Sequence, residues 1–142
     1  MTDRKLDLIY GGKMILSFKK QFKQKILDET KIHTIREDAH GRWKAGRKIH
    51  MATGVRTKGY DCFNDKDECI STQTIKIIHP KRKTNGINLP LIYIDDSKLN
   101  FFRYEEFAKN DGFDGIDPII DFFKWFNKDF EGKIIHWTNL KY

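Results

Sequence analysis

The 142 residues suit one domain, since chains divide into several cores only above about 250–300 residues. With 39% hydrophobic residues, including 11 Phe, 5 Tyr and 3 Trp, the chain has enough large apolar surface for a packed core, which excludes a natively disordered reading. The apolar runs are too short for a transmembrane helix, and Met1 to Lys5 leads into no long apolar stretch, so neither a membrane span nor a secretory leader is expected and the expected compartment is the cytoplasm.

Cys62 and Cys69 lack CxxC spacing and are too few for a disulfide framework, so both are read as reduced thiols. The net charge of +7 is unevenly spread: residues 1–58 carry 15 Lys and Arg against 6 Asp and Glu, and residues 59–142 carry 12 against 14. A cationic first half fits a polyanionic partner, nucleic acid first, or else a solubilising face.

In chain order, residues 1–12 are polar, end in Gly11-Gly12 and read as an N-terminal arm. The domain occupies 13–142. Met14 to Phe18 reads as a buried strand. The segment from Lys19 to Glu29 places Phe22 and Ile26, with Leu27 beside them, on one helical face, continuing the spacing of Phe18. Lys19, Lys20, Lys23 and Lys25 on the other face are a solvated flank or a phosphate rail. In Lys31 to Asp38 the two isoleucines are out of phase, which predicts a bent, looping segment. Lys48 to Thr53 is extended, and the acidic cluster from Asp61 to Glu68 marks a loop. Cys69 to His79 is the clearest strand, joined through a basic loop from Pro80 to Gly86 to a second strand over Leu89 to Ile94, as a hairpin.

A short helix is expected from Arg103 to Asn110, closed by Gly112, and Asp117-Pro118 starts another whose core stripe is Ile119, Ile120, Phe123 and Phe126. Gly132 is expected to stop that helix, and Lys133 to Trp137 to close the fold as a strand. The pattern defines an α+β domain with a small mixed sheet or half-open barrel.

No Gly-rich phosphate loop, HExxH, GxSxG or EF-hand pattern occurs, and His33, His40, His50, His79 and His136 are scattered. Neither a metal nor a cofactor is expected. The densest polar run is Lys31, His33, Thr34, Arg36, Glu37 and Asp38, directly after the basic helix. It is either a charged connection or a site in which Lys31 and Thr34, three residues apart on a turn, bring an amine toward a hydroxyl. A threonine hydroxyl becomes a nucleophile when a base takes its proton, and an amine can do so if burial or a cation such as Arg36 lowers its pKa.

Five segments, Met14 to Phe18, Phe22 to Leu27, Lys31-Ile32-His33-Thr34-Ile35-Arg36-Glu37-Asp38, Arg42-Trp43-Lys44-Ala45-Gly46 and Phe107 to Phe113, together resemble the ASCH domains of the PUA-like superfamily. The resemblance covers most of residues 13–137. It implies a small mixed β-barrel with flanking helices. Within the family it is closest in pattern to small bacterial amidohydrolases that remove the acetyl group of N4-acetylcytidine with a lysine, a threonine and a glutamate. Lys31 and Thr34 match the first two. Asp111 stands where the glutamate is expected, one methylene shorter.

The resemblance thus implies deacylation of an N4-acylcytidine-like nucleoside or base, with Thr34 as nucleophile, Lys31 as its base and Asp111 as proton shuttle or orienting acid. The alternative is a non-catalytic RNA-binding module using the same basic cleft. Arg36, Trp43, Lys44 and Arg56 are the expected substrate or RNA contacts, with Trp43 equally readable as core. The expected partner is a modified nucleoside or RNA, with no membrane and no obligate protein partner.

Overall fold

A computed structural model describes residues 13–81 and 88–142. The expected arm at 1–12 and most of the basic loop, residues 82–87, lie outside the described residues. The chain is α+β. Its elements are β1 (Lys13–Phe18), α1 (Lys20–Leu27), β2 (His33–Arg36), β3 (Lys48–Thr53), β4 (Asp61–Asn64), β5 (Ser71–Ile78), β6 (Leu91–Ile94), β7 (Ser97–Lys98), α2 (Tyr104–Asn110) after one 3₁₀ turn, α3 (Pro118–Trp125) and β8 (Phe130–His136).

The strands form two sheets. β1 lies parallel to β3, which pairs antiparallel with β4. The second sheet has the order β2-β8-β5-β6-β7, with the β5–β6 hairpin as expected. No strand pairing joins the two sheets among the described residues.

Alternation decides which faces are buried. Met14, Leu16 and Phe18 of β1 point inward, as do Gln73, Ile75 and Ile77 of β5, while Ser17, Thr74 and Lys76 face out. Both sheets and all three helices contribute to one apolar cluster. Its aromatic layer runs from Phe22 through Phe113 and Phe122 to Phe107, with edge-on ring contacts of 5.7, 5.6 and 5.4 Å. Phe107 and Phe122 are almost completely buried, so truncating either to alanine removes about 3–5 kcal/mol of packing and transfer energy. This layer forms the floor under the polar groups described below.

Five sequence readings change. Leu27 is half exposed, because the stripe of α1 consists of Phe22 and Ile26 alone. In and just after α3 Pro118 and Phe122 are the buried residues and the expected Ile119, Phe123 and Phe126 pack partly buried against the core, but Ile120 faces solvent. The helix ends at Trp125, and Gly132 lies inside β8, where a Cβ would come within 2.5 Å of the Arg36 carbonyl. The acidic cluster includes the short strand β4, and the expected looping segment after Lys31 contains the strand β2, whose His33, Thr34 and Ile35 are buried in succession.

Among the described residues no helix is long and apolar enough to cross a membrane.

Candidate active site

Two chain turns bring the polar groups together. At the end of α1, Glu29 takes a positive φ of 62°, and the Thr30 and Lys31 amides both donate to the Lys25 carbonyl, at 2.9 and 3.0 Å. At the end of α2, Asp111 is the C-cap. The Gly112 amide returns to the Lys109 carbonyl and the Phe113 amide to the Ala108 carbonyl, both at 2.9 Å, the Schellman pattern. The Ile32 amide then donates to the Asn110 carbonyl at 2.9 Å and ties the two turns to each other.

Gly112 is required twice over. Its φ is +99°, and a Cβ there would lie 2.9 Å from both the Lys31 Cδ and the Phe22 Cδ1. Gly112→Ala should therefore destabilise the fold by more than the about 1–2 kcal/mol that the left-handed backbone alone costs a residue with a Cβ. Urea unfolding checks this; a midpoint equal to that of the parent would contradict it.

Lys31 is 2% exposed. Its Nζ donates to the His33 carbonyl at 2.8 Å, to the Asp111 carbonyl at 2.6 Å and to Asp111 Oδ1 at 3.2 Å. Those bonds use all three hydrogens of the ammonium. Phe18 and Phe22 cover it, with Nζ 5.8 and 4.9 Å from the ring centres. Burial lowers the Lys31 pKa from 10.5 to about 8; the Asp111 carboxylate pulls it up, and the Arg36 guanidinium pushes it further down. An amine with that pKa has a substantial neutral fraction near pH 8.

Thr34 is held from another direction. In a strand, residues two apart share a face, so Arg36 lies beside Thr34 and its Nη1 donates to Thr34 Oγ1 at 2.9 Å. Arg36 is fixed in turn by the Ser17 carbonyl at 2.5 Å and lies over the Phe18 ring at 5.1 Å. The expected direct contact between Lys31 and Thr34 is not formed: no hydrogen bond joins Lys31 Nζ to Thr34 Oγ1. The physical reason is that Thr34 belongs to a strand rather than a turn, and strand parity gives its hydroxyl to Arg36.

Lys31, Thr34, Arg36 and Asp111 nevertheless line one cavity of about 490 Å³, bordered also by Phe18, Lys19, Lys20, Phe22, Val55 and Trp125. Asp111 Oδ1 receives Lys31 and, at 3.2 Å, His33 Nδ1. Both of these contacts fall on Oδ1.

Behind Asp111 lies a polar chain that the sequence did not reveal. Asn110 Nδ2 donates to Tyr142 Oη at 3.0 Å, and Tyr142 Oη lies 2.6 Å from His33 Nε2. Burial lowers the His33 pKa, so the ring is neutral. With the Asp111 carboxylate accepting from Nδ1–H, Nε2 must accept from the tyrosine hydroxyl. The Tyr142 pKa is raised, first by burial, which keeps that hydroxyl protonated. Gln73 holds Tyr142 by its backbone, accepting from the amide and donating to the carbonyl, both at 2.8 Å. His136 Nε2 shares the same Gln73 oxygen at 3.0 Å. The signal for His33 was its position between Lys31 and Thr34; Tyr142, Gln73 and Asn110 carried none.

The remaining expected contacts lie elsewhere. Trp43 is 6% exposed and packs in the core. One edge of it borders a second cavity of about 1080 Å³, lined also by Arg56, Tyr60 and His40, which meets the first at Ser17 and Val55. Lys44 is exposed and lines neither cavity. Asp38 serves this region structurally, and Glu37 is exposed. Burial would raise the Asp38 pKa, but the Trp43 and Arg42 amides and Lys133 outweigh it and hold the carboxyl below its ordinary range. Among the described residues no group of three or more His, Cys, Asp and Glu side chains is arranged to hold a metal ion.

Compared with family models, curated proteins and solved structures, the chain finds no match in any of the three.

Proposed function

We propose that the chain is an ASCH-type amidohydrolase that deacylates an N4-acylcytidine-like nucleoside or base, and that its two sheets are the halves of a PUA-like barrel. The observation that carries this reading is the convergence of Lys31, Thr34 and Asp111, from two segments far apart in sequence, on one cavity with Arg36 against the threonine oxygen. A cavity of about 490 Å³ is within the range of small-molecule sites. The barrel part is supported by the single core common to both sheets and by the edge contact of Phe18 with Trp137 at 6.3 Å.

In this mechanism Thr34 Oγ1 attacks the acyl carbonyl carbon. Its proton goes to neutral Lys31 Nζ, which gives up its longest bond, the 3.2 Å one to Asp111 Oδ1, and turns toward the hydroxyl. Arg36, already donating to Oγ1, favours the developing alkoxide. The C–N bond breaks as Asp111, protonated through Lys31, gives the proton to the leaving exocyclic nitrogen. An ester on Thr34 remains, and water hydrolyses it to the free carboxylic acid, restoring the hydroxyl. The tie of Asp111 to α2 by its own amide, which donates to the Phe107 and Ala108 carbonyls, and to His33 by Oδ1 offers the shorter acid a fixed reach.

The test is acetate release from N4-acetylcytidine by the parent, Asp111→Asn and Asp111→Glu. The expected result is a loss of about 10²–10⁴-fold in Asp111→Asn and retained or raised rate in Asp111→Glu. A parent and Asp111→Glu that are both inert would favour the second reading, a cleft that binds a base in RNA without turnover, to which the Arg36 bond on Thr34 in place of a base lends support.

A further inference from the structure

Four lysines lie on or beside the first turns of α1, and two of them are already committed. Lys23 Nζ pairs with Asp61 at 2.7 Å, and Lys25 Nζ with Asp114 at 2.8 Å and the Gly112 carbonyl at 2.9 Å. The Lys19 and Lys20 side chains make no ion pair or hydrogen bond among the described residues, although both line the 490 Å³ cavity. The lining holds four cationic side chains, Lys19, Lys20, Lys31 and Arg36, and one carboxylate, Asp111. That carboxylate is turned inward to Lys31 and His33, and the first turn of α1 carries no acidic residue. The mouth is therefore an uncompensated cationic rim above a polar floor.

A neutral nucleoside leaves such a rim without a counter-charge, whereas a phosphate supplies acceptors for two flexible ammonium groups. The sequence alternative for this face, flank or phosphate rail, divides accordingly: Lys23 and Lys25 are structural and Lys19 and Lys20 are free to bind.

We infer that the cavity takes a phosphorylated cytidine, with the base toward Thr34 and Asp111 and a phosphate between Lys19 and Lys20. This rests on the proposed site but concerns its ligand and not its chemistry. The phosphate can belong to a mononucleotide or to the backbone of an RNA strand.

The experiment is equilibrium binding, by calorimetry or NMR titration at low salt, of cytidine, cytidine 5′-monophosphate, cytidine 3′-monophosphate and a short cytidine-containing RNA, to the parent and to Lys19→Ala/Lys20→Ala. Circular dichroism checks that the variant is folded. A monophosphate should bind about tenfold or more tighter than cytidine, and the double variant should remove that preference. RNA binding tighter than either monophosphate assigns the phosphate to a strand; RNA no tighter assigns it to a free nucleotide. Monophosphates no tighter than cytidine, or a preference that survives in the double variant, overturn the inference. Because binding is read without turnover, a protein that prefers the monophosphate yet releases no acetate from acylated cytidines would lose the amidohydrolase reading and keep the phosphate site.

Discussion

Lys31→Met should destabilise the fold by about 3–5 kcal/mol, and Asp111→Asn added to it should restore most of the loss. Both side chains are nearly solvent-free, at 2% and 4% exposure. The depressed pKa of Lys31 shows that burial opposes its charge more strongly than Asp111 supports it. The ion pair is therefore kept at a cost in stability. Removing the lysine alone relieves its own desolvation but leaves a buried carboxylate with one remaining side-chain hydrogen bond, from His33, and the more distant Arg36 charge, and the uncompensated charge dominates. A double-mutant cycle in urea reads the coupling directly. Equal stability of the parent and Lys31→Met would mean that the pair is already open to water.

The second large effect is on the pH dependence of turnover. In the proposed reaction the base must be neutral, and Lys31 has a pKa of about 8 in the folded protein against 10.5 ordinarily. Below that value the neutral fraction falls about tenfold per pH unit, so kcat/KM on N4-acetylcytidine should rise about tenfold per unit up to about pH 8 and then level. An unshifted lysine would still be climbing two units higher. The same shift has a consequence for stability. Between about pH 8 and 10.5 the unfolded chain holds a proton that the folded one has released, so the lysine destabilises most below pH 8 and the loss is relieved as pH rises. Lys31→Arg, which cannot deprotonate, should lose about 10²–10⁴-fold in rate. A flat profile from pH 6 to 9 would remove Lys31 as the base.

What was legible in the sequence is what alternation and punctuation encode. Met14 to Phe18, Lys48 to Thr53 and the β5–β6 hairpin follow from apolar spacing, and the Asp117-Pro118 start and Gly112 stop follow from capping chemistry. Less was legible where a short element has no room for a period: β4 is four residues inside an acidic cluster, and β2 is four residues flanked by an out-of-phase Ile32. Phe122 rather than Ile120 faces the core because α3 is only eight residues long, and a small rotation changes which side chain is inward.

For the site, the sequence indicated that Lys31, Thr34, Arg36 and Asp111 belong together, but not how they divide. Thr34 goes to Arg36 by strand parity, and Lys31 goes to Asp111 by the backbone tie between Ile32 and Asn110. The Tyr142–His33 support of Asp111 joins residues 109 apart, a distance over which no local pattern reports.

The central claim is that Thr34 cleaves an amide by carrying its acyl group. The most direct measurement is single-turnover reaction of the parent and Thr34→Ala with N4-acetylcytidine at about pH 8, following acetate release together with the intact mass of the protein. The account predicts acetate from the parent, a transient acetyl adduct that maps to Thr34, and neither from Thr34→Ala. Acetate released equally by both proteins, or by neither, would contradict it.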